Sequence, residues 1–334
     1  MTERNRTVRL ARRPHGAVTR DEFTIEDEAR PVPGDGEILV RVRFISIDPA
    51  MRGWMNEGRS YVPPVALGDV MRALAVGEVV ESNHDGFSPG DAVTGLFGVQ
   101  RYAVSDGRDV QKVDAGRASL PCWVGGLGMP GMTAYFGLTD VGRPKKGETV
   151  VVSAASGAVG SLVGQIAKIL GCRAVGIAGG EEKCRYLTDE LGFDAAVDYK
   201  AGRLQADLVA ATPDGIDVYF ENVGGVVLEA VLDRMNTFGR IPVCGLISMY
   251  NATEPQPGPR NLRSILVNRL RMQGFIVFDY RDRYREGVEA LLSWHEAGLL
   301  IFREDVRPGG VDAYPDVLNL LFSGGNFGKL VLEV

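Results

Sequence analysis

The chain has 334 residues, 45% of them hydrophobic and 24% charged, with a net charge of -6, the composition of an ordinary globular protein of about two domains. No stretch approaches 18 or so uncharged apolar residues and the N-terminus lacks the apolar core of a signal peptide, so membrane partners are excluded and a cytoplasmic location is expected. The acidic balance argues against bulk nucleic-acid binding, and the five arginines among residues 4–13 read as solvated positions on a terminal strand.

Along the chain, the first 125 residues are rich in Gly and Pro, with short β-type runs at 37–44, 76–80 and 92–95, which predicts a compact β-rich barrel. From about Cys122 the pattern alternates between strands and helices. Strands are predicted near 149–153, 173–178, 195–198, 216–221, 238–244 and 271–277, enough for a doubly wound parallel sheet. A helix is expected over Glu286–Ala297 and a last strand over Lys329–Val334. The segment TEPQPGPR (253–260) carries three prolines and is a loop. It follows the fifth strand on the edge where ligands bind, so it reads either as a mobile lid or as an inert surface loop.

The motif that carries chemistry is VVVSAASGAVG (150–160), followed by the helical pattern SLVGQIAKIL. A buried strand hands over to a turn containing Gly157 and Gly160, where a side chain would block the tight bend or the approach of a phosphate. The N–H groups of Gly157, Ala158, Val159 and Gly160 then open a helix and face an anion. A second strand at 173–178 completes the βαβ unit that a dinucleotide site requires. Its end reads Ala178-Gly179-Gly180, without the acid that would bind the adenosine ribose hydroxyls and repel a 2′-phosphate. Lys183 follows in the next helix and Tyr199-Lys200 closes the third strand nearby, so NADP(H) is the expected cofactor. A charge-assisted contact to phosphate adds roughly 1.5–3 kcal/mol. Lys183 after two glutamates also fits an ordinary solvated helix surface.

Cysteines at 122, 172, 184 and 244 and histidines at 15, 84 and 295 have none of the spacings that hold zinc, and no metal is expected. Cys244 ends a strand, but no basic neighbour adjoins it to make the thiol reactive.

The motifs DPAMRGWM (48–55), GMTAYFGL (131–138), AASGAVGSLVGQIAK (154–168), YFENVGG (219–225), CGLISMYN (244–251) and NFGKLVLEV (326–334) resemble the zinc-independent medium-chain dehydrogenases/reductases. Within them, the resemblance is to the branch of prostaglandin reductases, leukotriene hydroxydehydrogenases and curcumin reductases. It spans nearly the whole chain. It implies a Rossmann NADP-binding domain at 126–299 and a GroES-like barrel made of 1–125 with the returning segment 300–334. Where the zinc alcohol dehydrogenases carry Gly-His-Glu, this chain has Gly68-Asp69-Val70.

The resemblance also implies cofactor roles: pyrophosphate at Gly157–Gly160, 2′-phosphate at Lys183 and Tyr199, and contacts from Asn222, Cys244, Gly245, Ile247, Ser248, Tyr250, Phe275, Ile276, Val277 and Asn326. Each has a plainer alternative, with Asn222 in a turn, Phe275 in the core and Asn326 as a strand cap. Two positions depart from the family: Ala50 stands where several relatives carry tyrosine, and Gly180 replaces a common serine, which removes one hydroxyl donor.

A zinc-free site suits reduction of an activated C=C bond, in which hydride reaches the β-carbon of an enone or enal and the resulting enolate is protonated. Tyr250 is the candidate proton donor, its phenol being protonated at neutral pH. Water or a ribose hydroxyl is the alternative donor, with Tyr250 then a packing residue. A quinone reductase and a non-enzymatic NADPH-binding scaffold are the competing functions. The family further implies a homodimer formed by edge strands.

Overall fold

A computed structural model describes residues 3–334. It contains two compact units, one running to Gly125 and resuming at Glu304–Val334, the other Gly126–Arg303.

In the first unit β1 (Arg4–Leu10) pairs antiparallel with β2 (Phe23–Ala29), Arg4 opposite Ala29 and Leu10 opposite Phe23. Val8 and Leu10 point into the core while Arg6 and Arg9 alternate outward. These arginines are paired rather than merely solvated: Arg9 meets Glu28 at 2.5 Å and Arg6 meets Asp312 at 2.6 Å. Arg6 lies opposite Asp27 in the ladder, whereas Arg9 lies opposite Thr24 and reaches along β2 to Glu26 and Glu28.

The remaining strands are β3 (Ile38–Ser46), β4 (Ala75–Ser82), β5 (Ala92–Gly95), β6 (Tyr102–Ser105) and β7 (Gln111–Lys112), with α1 (Ala50–Trp54) following β3. Among the described residues they form a seven-stranded sheet with two strands from the end of the chain, β3 lying between the last strand and β4.

The second unit carries β8 (Thr149–Ser153), β9 (Arg173–Ala178), β10 (Ala195–Asp198), β11 (Ile216–Phe220), β12 (Met235–Val243) and β13 (Arg271–Gly274). Its helices are α2 (Met129–Phe136), α3 (Ala158–Ile169), α4 (Glu181–Arg185), α5 (Leu204–Ala211), α6 (Gly225–Leu232), α7 (Arg263–Val267) and α8 (Tyr284–Glu296). The sheet is parallel in the order β10-β9-β8-β11-β12-β13. The order reverses between β8 and β11, the switch point where such sheets bind ligands. Every residue of β8 is buried, as its run of β-branched residues without alternation predicts.

Several boundaries differ from expectation by a residue or more, three of them for a visible reason. The fifth strand starts at Met235, before the predicted 238, and passes through Phe238 in a left-handed conformation (φ 65°) whose N–H donates to Asn268 O at 2.7 Å. The sixth strand stops at Gly274 instead of Val277, because its partner Val243 is the last residue of β12 and the N–H of Cys244 turns to Glu221 O. The chain leaves the second unit at Arg303 rather than 299, since Gln165 holds Ile301 by both its N–H (2.7 Å) and its carbonyl (3.1 Å).

β14 (Glu304–Arg307), α9 (Tyr314–Ser323) and β15 (Lys329–Glu333) complete the first unit, β15 pairing with β3. Inside an otherwise apolar core, Lys329 Nζ donates to Asp48 Oδ1 and to Ile47 O, both at 2.7 Å. Ser46 Oγ donates to the other carboxylate oxygen. Burial pulls the Lys329 ammonium below its ordinary pKa while Asp48 opposes that shift. This pair ties the last strand to the head of α1. Asp48→Ala, which strands a buried ammonium, is expected to cost about 3–5 kcal/mol in urea unfolding, whereas the double variant Asp48→Leu/Lys329→Met costs less; equal losses would contradict this account.

Candidate active site

The turn after β8 is built from main chain. Ala154 adopts φ 50°, Ala155 N–H donates to Ile177 O on β9, and Gly157 N–H returns to Ala154 O. A Cβ on Gly160 would lie 2.4 Å from Ala154 O and 2.8 Å from Ala155 Cα. Glycine is needed at 160 because the helix crosses the exit of its own strand. The first helical bond of α3 is Ser161 N–H to Gly157 O. The N–H groups of Ala158, Val159 and Gly160 precede it and have no acceptor within the helix, an arrangement that fits a pyrophosphate, whereas the Gly157 N–H, expected to join them, is taken up by Ala154 O at 3.0 Å.

At the end of β9, Gly180 has φ 101° and ψ 148°, a region open essentially to glycine alone. A side chain on this backbone would be strained. Gly179 is covered by the next strand's end: a Cβ on it would sit 2.8 Å from Tyr199 Cε1 and 2.9 Å from Lys200 Cε. Asp198 Oδ1 accepts the N–H groups of both Gly180 (2.8 Å) and Lys200 (2.9 Å). Lys183 stands half-buried on α4 and Tyr199 is exposed.

At the switch point the organising group is Glu221, a residue the sequence reading did not single out. It is fully buried. Its Oε1 accepts Ser153 Oγ (3.1 Å), Tyr219 OH (2.9 Å), Val223 N–H (2.6 Å) and Gly224 N–H (3.0 Å). Its Oε2 is buried without a partner. Burial raises its pKa above the usual carboxylate range, against the pull of the two backbone donors. The signal in the sequence was an acid at the end of a strand buried on both faces.

Asn222 is held beside it, N–H on Ser153 Oγ and side-chain amide on Ser153 O at 2.8 Å. The loop after β12 is laced to the same turn: Ile247 N–H donates to Asn222 O (3.1 Å), and Ser248 donates to Val223 O through its N–H (3.1 Å) and its hydroxyl (2.6 Å). Asn222 and the segment Cys244–Tyr250 are thus brought together. Tyr250 folds back over that loop. Its phenol oxygen accepts Leu246 N–H at 3.4 Å and stands 3.0 Å from where a Gly245 Cβ would be. The Cys244 thiol is raised to about 12 by burial and by Glu221, so it is inert.

Phe275 packs edge-on against Phe220, ring centroids 6.0 Å apart, and fills the space above Gly137, and Val277 is buried beyond it. Asn326 belongs to the first unit, where its amide donates to Gly328 O. The proline-containing loop 253–260 has no regular structure, and its end is pinned to α6 by the Arg260–Glu229 ion pair at 3.0 Å.

In the first unit, the loop Trp54–Val65 is held by its main chain. Arg13 donates to Met55 O (2.9 Å) and Val65 O (2.6 Å), Arg72 donates to Pro63 O (2.8 Å), and Trp54 Nε1 donates to Tyr61 OH (3.2 Å). Among the described residues no group of three or more His, Cys, Asp or Glu is placed to hold a metal ion.

A β-rich unit joined to a Rossmann unit with a main-chain phosphate turn defines a two-domain nicotinamide-dependent dehydrogenase/reductase. Residues 6–113 match the family described as the N-terminal domain of oxidoreductases, and residues 158–294 match the zinc-binding dehydrogenase family. The chain is 48% identical to the NADPH-dependent curcumin reductase of Escherichia coli over 99% of its own length and 97% of that protein. It is 46% identical to the 2-alkenal reductase (NADP+-dependent) of Nicotiana tabacum, over 90% and 88% of the two chains. Among solved structures, CurA from Vibrio vulnificus in complex with NADPH superposes with a TM-score of 0.93 at 45% identity, covering 98% of this chain and 99% of that one. The chain belongs to the medium-chain dehydrogenase/reductase family, in the zinc-independent branch of curcumin, alkenal and prostaglandin reductases.

The raised pKa of Glu221 has a thermodynamic consequence. The folded state binds this proton more tightly than the unfolded chain, so the stability it contributes is complete below the ordinary glutamate pKa of about 4.3 and is lost as pH rises through the folded value. The stability of the parent relative to Glu221→Gln is therefore expected to fall as pH rises above about 4.3 in urea titrations. A gap independent of pH would refute it.

Proposed function

We propose that this chain uses NADPH to reduce the C=C bond of α,β-unsaturated aldehydes and ketones. The observation that carries the reading is near-full-length similarity to an NADPH-dependent curcumin reductase and a 2-alkenal reductase, joined to a second strand that ends in Gly179-Gly180 without an acid.

The bound cofactor supplies the hydride. The residues of the chain bind and orient: the N–H groups of Ala158, Val159 and Gly160 take the pyrophosphate, and Lys183 and Tyr199 take the 2′-phosphate. Asn222, Cys244, Gly245, Ile247, Ser248 and Phe275–Val277 line the ribose and nicotinamide positions. The role of Asn326 rests on the family resemblance alone. As the β-carbon of the substrate gains hydride, negative charge moves to its carbonyl oxygen, and the enolate then takes a proton at the α-carbon. Tyr250 is the donor in this reading, set by its loop at the carboxyl edge of the sheet. A positioned general acid contributes about 10²–10⁴-fold.

Exposed β13 at the end of the sheet, together with Leu262, Leu266 and Met272, supports a homodimer paired edge to edge. Four unpaired cysteines and the lack, among the described residues, of a helix long and apolar enough to cross a membrane support a cytoplasmic location.

An NADPH-oxidation screen over enals, aryl and cyclic enones and simple quinones is expected to show turnover of the enals and enones to saturated carbonyl products; turnover of quinones alone would make this a quinone reductase, and binding without oxidation a scaffold. Tyr250→Phe is expected to lower kcat about a hundredfold with the KM for NADPH unchanged, and full retained activity would transfer the donor role to water or a ribose hydroxyl. Light scattering is expected to give twice the 36.1 kDa chain mass; a monomer mass would remove the edge-strand dimer.

A further inference from the structure

We propose that Asp198 is the positioning residue that sets the preference of this chain for a 2′-phosphorylated cofactor. The inference rests on placing the 2′-phosphate at the Gly179–Gly180 turn. An aspartate at the tip of the third strand is an unexpected neighbour for a phosphate. Two unit negative charges about 7 Å apart repel by roughly 1 kcal/mol at an intermediate effective dielectric constant.

The geometry shows what the carboxylate does there instead. One of its oxygens, Oδ1, accepts the N–H groups of Gly180 and Lys200 together, at 2.8 and 2.9 Å. Gly180, at φ 101° and ψ 148°, is outside both the helix and the ladder. Asp198 therefore fixes an N–H that neither element holds. The same oxygen ties the turn after β9 to the end of β10, and this closes Tyr199 and Lys200 over Gly179.

An acid that recognises a ribose hydroxyl must offer its oxygens to the ligand. Asp198 spends Oδ1 on two main-chain donors and so acts as an internal acceptor. The half-buried carboxylate holds the Gly180 turn, from which α4 and Lys183 start, to the backbone at Lys200. Its negative charge is the cost of that anchorage.

Charge and acceptor are separable by substitution. Asp198→Asn keeps an oxygen for both N–H groups and removes the charge, while Asp198→Ala removes both. Steady-state kinetics with NADPH and NADH would be measured for the parent, Lys183→Ala, Asp198→Asn and Asp198→Ala, with a melting temperature for each. Lys183→Ala is expected to lower the NADPH/NADH ratio of kcat/KM about tenfold or more. Asp198→Asn is expected to raise it about fivefold with the melting temperature kept. Asp198→Ala is expected to lower it, the loss falling on NADPH.

A ratio that falls or stays at the parent value in Asp198→Asn overturns the proposal. So does an Asp198→Ala variant that melts earlier and loses both cofactors in equal proportion, the mark of a merely structural residue. If Lys183→Ala keeps the parent ratio, the placement of the phosphate itself is wrong and the Asp198 assignment falls with it. A lowered ratio in Lys183→Ala beside unmoved Asp198 variants overturns the Asp198 assignment alone.

Discussion

The passage of α3 across the exit of β8 is the constraint on which the second unit is built. With Gly160 packed so close that a Cβ would come within 2.4 Å of Ala154 O, strand and helix share one narrow corner, and the residue between them is forced to φ 50°. The return is a row of N–H groups presented without any side chain in the way. Such a cradle is chemically generic. What distinguishes this chain lies in the groups that hold the neighbouring turns along the same edge of the sheet.

Two acids do that holding, and both act inward. Glu221 gathers the N–H groups of Val223 and Gly224 with the hydroxyls of Ser153 and Tyr219. Asp198 gathers those of Gly180 and Lys200. A hydrogen bond contributes about 0.5–1.5 kcal/mol net, more where its acceptor is ionised. Loops that lack regular secondary structure are thereby held by buried or half-buried side-chain acceptors. The arrangement has an electrostatic cost: Glu221 is buried with one oxygen unpartnered, and its proton affinity rises accordingly.

β8 was legible in the sequence because a strand buried on both faces is a run of β-branched residues, and β9 and β10 fall at the expected places in the strand–helix alternation. The boundaries that shifted are those set by partners distant in sequence. β13 ends where β12 ends, and no local pattern records that. The glycines of the phosphate turn were legible for the same local reason as the strands. Glu221, Asp198, Arg13 and Arg72 were not, because each works on main-chain N–H or C=O groups whose orientation exists only after folding. A charged side chain in a sequence defaults to solvent. Gly180 adds what its sequence could not show: beside the missing hydroxyl, its backbone adopts a conformation that favours glycine.

The first unit applies the same device with the sign reversed. Arg13 and Arg72 donate to the carbonyls of Met55, Val65 and Pro63, and buried Arg52 donates to Gly16 O at 3.0 Å, so the path of the loop Trp54–Val65 depends on arginines and main chain. Its side chains anchor it as well: Trp54, Met55 and Val65 are buried in the core, and Asn56 accepts from Arg52 at 2.5 Å. A loop fixed by both main-chain and core contacts keeps its course while only its exposed side chains are free to vary. A phosphate turn and a family resemblance therefore specify the reaction more sharply than they specify its substrate.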